Sequence, residues 1–141
     1  MKKLILLITL SLFLLLTSCV LGESGRDKEN EEDMKKEPIA YEMISAKEAK
    51  ALMDSEKGYI IIDARTESEY AAGHIQGAIL IPEYEISKRA EAEIPDKNTL
   101  ILVYCRSGRR SKIAAQELVK LGYTNVKEFG GIIDWEYGTV K

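Results

Sequence analysis

Cysteine and histidine are almost missing from this 141-residue chain, which holds only Cys19, Cys105 and His74. Two cysteines rule out a disulfide framework. One histidine with one free thiol falls short of a zinc site, so neither a metal nor a cofactor is expected. Positive charge is not in excess: Lys and Arg number 20 against 23 Asp and Glu, a net charge of −3. That balance argues against nucleic acid as a partner. Internal repeats are absent, and no apolar run reaches the ~20 residues of a membrane-spanning helix. The length suits a single domain.

What is present begins at the amino terminus. Lys2 and Lys3 precede the apolar run Leu4 to Leu16, interrupted only by Thr9 and Ser11, and Leu16-Thr17-Ser18-Cys19 follows. A positive start, an apolar run of about 7–15 residues and a small-residue cleavage site describe a secretory signal peptide. Leu-Thr-Ser-Cys also resembles the bacterial lipobox, which implies cleavage after Ser18 and lipid modification of Cys19. An uncleaved amino-terminal anchor is the alternative. Both put the domain outside the cytoplasm, at a bacterial membrane. Cleavage removes Lys2 and Lys3, leaving 18 basic against 23 acidic residues, a net charge of about −5 by the same count.

Residues 19–38 read as the lipidated cysteine followed by a charged tether. Glu23 to Glu37 contain no apolar residue except Met34, so this stretch cannot bury surface and is expected to be disordered. About 20 flexible residues reach roughly 25 Å, and two or three acyl chains would anchor them stably. In an oxidising compartment the lone Cys105 must be kept reduced, or persulfidated, by another component.

From residue 39 onward strands and helices alternate. Tyr41 to Ile44 reads as a strand, and Ser45-Ala46-Lys47-Glu48 has capping-box spacing for a helix to about Asp54. Tyr59 to Ile62 is a buried strand ending at Asp63 and Arg65. Thr66-Glu67-Ser68-Glu69 repeats the capping spacing, and Gly73 closes that helix. Ala78 to Ile81 is a strand stopped by Pro82; Glu83 to Glu93 reads as an exposed helix; Pro95 to Asn98 is a turn. A helix over Lys112 to Leu121 follows the next strand, with Gly122 as its cap and Val126 to Phe129 as a last strand. This alternation predicts an α/β fold, a parallel sheet covered on both faces.

The chemistry concentrates at Cys105-Arg106-Ser107-Gly108-Arg109-Arg110-Ser111. The apolar run Leu100 to Tyr104 before it reads as a buried strand, and the helix follows directly. Ligands bind at the carboxyl ends of strands in such sheets. Unpaired amides at a helix start attract anions, and Arg106, Arg109 and Arg110 add positive charge. A sulfur there should ionise below the usual thiol value of about 8.5. Ser107 and Gly108 let the loop bend so that several amides converge. An inert core thiol is the competing reading.

Cys-Arg-Ser-Gly-Arg-Arg-Ser after a branched strand resembles the active-site loop of the rhodanese-like sulfurtransferases. Asp63-Ala64-Arg65, Gly73-His74-Ile75-Gln76-Gly77-Ala78, and Gly130-Gly131-Ile132 with Trp135 resemble the family's other motifs, in order, over residues 41 to 138. The resemblance implies a rhodanese-like domain with a central, mostly parallel five-stranded sheet flanked by helices on both faces. It implies transfer of sulfane sulfur from a thiosulfate-like anion through a Cys105 persulfide to cyanide, a thiol or a protein.

A thiolate needs no general base. The loop amides would stabilise the persulfide, and the guanidinium fork suits a sulfonate, so Arg106, Ser107, Gly108, Arg109 and Arg110 are the substrate-binding candidates, with Arg110 and Arg106 ranked above Arg109. Asp63 and Arg65 are expected to support the loop as a buried pair. His74 is expected to be structural, Trp135 to pack at the domain edge or pocket rim, Glu69 to be a solvated helix position and Tyr70 a packing residue.

Two other functions compete. A cysteine phosphatase needs Cys-x5-Arg, but Ser111 stands at that position and the arginine comes one residue early, which leaves too small a cradle for phosphate. A non-catalytic module for sulfur sensing or partner binding is the other, since fold does not dictate function.

Overall fold

The computed structural model describes residues 41–141. The expected signal peptide, Cys19 and the tether lie outside the described residues. The elements run β1 (Glu42–Met43), α1 (Ala46–Ser55), β2 (Ile60–Asp63), α2 (Glu67–Ala72), β3 (Ala78–Leu80), a 3-10 turn (Glu83–Glu85), α3 (Ile86–Glu93), β4 (Ile101–Cys105), α4 (Arg109–Lys120), β5 (Val126–Gly131) and a second 3-10 turn (Ile132–Asp134). The five strands form one sheet in the order β1-β5-β4-β2-β3, and every pairing is parallel.

The centre of that sheet is β4, and all five of its residues are buried. Its side chains alternate between two cores. Ile101, Val103 and Cys105 pack with Ala90 of α3 and Ala114, Ala115 and Leu118 of α4. Leu102 and Tyr104 pack on the other face with Ala49 of α1, Ile75 and Phe129. A strand covered on both sides must be apolar at every position, hence the unbroken apolar run. Each such large side chain contributes about 1.5–3 kcal/mol by leaving water.

Local signals set the helix starts. Ser45 with Glu48, and Thr66 with Glu69, form complete capping boxes, each satisfying orphan amides reciprocally. Two boundaries differ from expectation. The Glu83–Glu93 stretch is not one exposed helix: it splits at Ile86, and Ile86 and Ala90 are fully buried. Further on, α4 starts three residues earlier than Lys112, because Gly108 turns the chain at φ +94°. Arg109, Arg110 and Ser111 therefore belong to the first turn of α4.

Candidate active site

Cys105 is the last residue of β4, and the chain leaves it through Arg106-Ser107-Gly108 to enter α4. The strand beside it is irregular. Val103 pairs with Glu128 but Cys105 pairs with Gly131, so β5 carries one extra residue there. This is a β-bulge, and Gly130 takes the left-handed conformation it requires, at φ +83°. The next glycine serves a different need. A Cβ on Gly131 would lie 2.2 Å from the Arg106 carbonyl oxygen and 2.7 Å from the Ser107 Cα. The Gly-Gly pair thus bends β5 and lets the loop lie directly on its backbone.

Sγ points into its own loop. The Gly108 amide donates to it at 3.1 Å, and Ser111 Oγ lies 3.4 Å away. Burial pushes the thiol up, but hydrogen bonds from the Ser111 hydroxyl and the amides of Ser111, Ser107 and Gly108 outweigh it, and the thiol is held below its ordinary value. Cys105 is 1% exposed, so the sulfur sits at the floor of the loop. Gly131→Ala should push the loop off the bulge and pull these amides from the sulfur. The expected result is a rise in the pH midpoint of Cys105 alkylation by about one pH unit or more, toward the free-thiol value, read on the Cys105 peptide by mass spectrometry.

The three arginines divide. Arg106 and Arg109 are exposed, and neither enters an ion pair among the described residues. Arg110, a substrate-binding candidate, is engaged within the protein. Its Nη1 and Nη2 both donate to the Glu69 carboxylate at 2.7 Å, with both side chains largely covered. The Arg110 fork is therefore filled, and what it presents to nearby Cys105 is positive charge.

Glu69 is accordingly not a solvated helix position. It caps α2 through Thr66 and clamps Arg110 at once, and Arg110 first, then Thr66, holds its carboxyl down to about 2.

On the opposite face, Asp63 and Arg65 form the buried pair. The Asp63 carboxylate accepts from Arg65 Nε at 2.9 Å and Nη2 at 2.7 Å, and from the Tyr104 hydroxyl at 2.6 Å. Arg65 Nη2 also donates to the Gly73 carbonyl at 2.7 Å, and the Ile75 amide donates to the Tyr104 oxygen at 3.1 Å. The network ends on Tyr104, the residue before Cys105, and so ties down the end of β4. His74 stacks on Tyr70 with ring centroids 3.7 Å apart, and none of its hydrogen bonds reaches Cys105. The Tyr70 hydroxyl donates to Ala78 O, and Trp135 packs on Phe129 and Tyr137 at the domain edge.

Two residues at the site escaped sequence reasoning. Glu69 was absorbed by its capping role. Glu128 read as part of a short strand, yet it shares the face of Val126, two residues earlier, and is 3% exposed. A glutamate in the register of a core residue, just ahead of Gly-Gly, was the available signal.

The family model described as Rhodanese-like domain matches residues 45–137. Thiosulfate sulfurtransferase PspE of Escherichia coli is 42% identical over 80 residues, which cover 57% of this chain and 77% of that protein. A sulfurtransferase of Allochromatium vinosum is 39% identical over 98 residues, 69% of this chain and 89% of that protein. The solved structure described as rhodanese with anions from E. coli superposes with a TM-score of 0.56 at 41% identity, over 59% of this chain and 98% of that one. Through the match over residues 45–137, the chain belongs to the family of rhodanese-like domains.

Proposed function

We propose that this rhodanese-like sulfurtransferase moves the outer sulfur of a thiosulfate-like donor onto Cys105 and from there to a thiophilic acceptor. The observation that carries this reading is a sulfur at a helix start, whose thiol the hydrogen bonds of its own loop hold below its ordinary pKa. The Cys105 thiolate attacks the outer sulfur; a new S–S bond forms, the donor's S–S bond breaks, and its electron pair leaves on sulfite. The outer sulfur becomes the persulfide anion, which the same amides stabilise as an oxyanion hole would. Cyanide or a thiolate then takes that sulfur, and the bonding pair returns to Cys105 as thiolate. The charge balances in both halves without an external oxidant.

Exposed Arg106 and Arg109 draw the dianion to the loop, while Arg110, held by Glu69, supplies fixed positive charge beside the sulfur. A cysteine that is 1% exposed favours donors with one small projecting atom over bulky electrophiles. Incubation with thiosulfate should add one sulfur mass to the Cys105 peptide, and cyanide should remove it as thiocyanate. Loading without transfer to cyanide or any thiol would instead indicate a sulfur-carrying module, and no loading would overturn the reading.

The proposal extends to location. Lys2-Lys3, the apolar run to Leu16 and Leu16-Thr17-Ser18-Cys19 support export and lipid attachment at Cys19, with the domain on the outer side of a bacterial membrane. Cys19→Ala expressed in bacteria should move the protein from the membrane fraction to the soluble fraction. Retention of the variant at the membrane would refute lipid anchoring.

A further inference from the structure

Beneath the sulfur lies a carboxylate that the transfer chemistry does not use. Glu128 projects from β5 and is 3% exposed, and Ser111, fully buried, stands between it and Cys105. Glu128 Oε1 accepts from Ser111 Oγ at 2.6 Å and from the Gly130 amide at 2.9 Å. Among the described residues no basic side chain pairs with it. Burying a carboxylate without a cation is costly, and an apolar residue would fill this register without that cost.

The Ser111 hydroxyl has one proton and four acceptors around it: Glu128 at 2.6 Å, the Gly108 carbonyl at 3.1 Å, the Gly130 carbonyl at 3.3 Å and Sγ at 3.4 Å. A charged acceptor at the shortest distance draws the hydrogen most strongly and weakens the bond to Sγ. Since carboxylate and sulfur both touch one oxygen, at 2.6 Å and 3.4 Å, they are at most about 6 Å apart, within the range where like charges oppose each other's ionisation.

The other groups around Glu128 do not cancel it. Tyr41, ahead of β1, is a neutral phenol pushed up by burial and then by Glu128 itself. Val103 is its neighbour on β4. From α4, Arg110 faces the sulfur but spends its fork on Glu69.

We propose that Glu128 is a positioning residue for sulfur transfer: its carboxylate competes with Cys105 for the Ser111 hydroxyl hydrogen, weakens that donor to the sulfur, and keeps the sulfur more basic and more nucleophilic than the loop's donors alone would leave it. The inference rests on the sulfurtransferase reading for its purpose, and on the geometry alone for its effect on the thiol. Amides and arginines by themselves drive a thiolate toward low basicity, and its nucleophilicity falls with its pKa. Glu128 opposes that drift.

The test compares full-length wild type with Glu128→Gln and Glu128→Leu, following iodoacetamide labelling of the Cys105 peptide against pH. Both variants remove the charge; glutamine keeps a neutral and weaker acceptor for the Ser111 hydroxyl, whereas leucine frees that donor for the sulfur and also suits the apolar register should glutamine fail to fold. The expected result is a midpoint lower by about one pH unit and a labelling plateau at high pH lower by about threefold. An unchanged midpoint would overturn the proposal. So would a raised one, since loss of a merely structural anchor would loosen the amides and raise it. Thiosulfate loading of wild type, measured in parallel, separates the two readings: a lowered midpoint without loading keeps Glu128's effect and removes the sulfurtransferase function.

Discussion

Cys105→Ser should yield a folded protein that takes no sulfur from thiosulfate, with thiocyanate formation down by at least about 1,000-fold. The loss follows from acidity and from bonding. A serine hydroxyl stays protonated at neutral pH, and no neighbouring base among the described residues stands ready to activate it: His74 is engaged with Tyr70, and Glu128 already accepts from the Ser111 hydroxyl. Oxygen also cannot store the transferred atom as a persulfide. The exchange is nearly isosteric at a fully enclosed position, and the Gly108 amide keeps an acceptor, so unfolding by heat or urea should change little. Thiocyanate release and the mass of the peptide around residue 105 check both halves. Turnover equal to wild type would place the chemistry elsewhere.

Asp63→Ala should destabilise the domain by about 3–5 kcal/mol, the cost of leaving a buried charge without its partner. Asp63 is fully buried and accepts from the backbone and side chain of Arg65 and from Tyr104. Its removal strands a guanidinium that is 6% exposed and the hydroxyl of an enclosed tyrosine. Against a typical domain stability of about 5–15 kcal/mol, that is a large share. The urea midpoint should fall accordingly, whereas Asp63→Asn, which keeps an acceptor at the same place, should cost less. A midpoint within error of wild type in Asp63→Ala would show that the pair contributes nothing net. Because the network ends on Tyr104, part of the loss should reach the loop and slow sulfur loading in whatever protein remains folded.

Much of this architecture was legible in one dimension because the deciding interactions are local. Ser45-x-x-Glu48 and Thr66-x-x-Glu69 start helices through bonds three residues apart, and the structure has both boxes intact. The apolar runs ending at Asp63 and Cys105 announced strands covered on both faces. The order β1-β5-β4-β2-β3 had no such mark, since strand pairing is chosen by which faces bury which helices. The start of α4 was misplaced for a related reason. Apolar periodicity begins after the arginines, whereas the helix begins where Gly108 can take φ +94°.

The site divides along the same line. Cysteine at a strand end, three arginines and a glycine turn are features of one short segment, and their electrostatic consequence for a sulfur follows from the order of residues alone. Partners 41 and 17 residues apart do not. That Glu69 fills the Arg110 fork, and that Glu128 accepts from the Ser111 hydroxyl, became visible only when folding set α2 and β5 against the start of α4. The linear chain determined where a thiol of lowered pKa stands and which charges lie beside it. The tertiary structure decided which of those charges are free to meet a donor and which are already spent, because hydrogen bonds and ion pairs act over a few ångströms of space and sequence distance does not measure that.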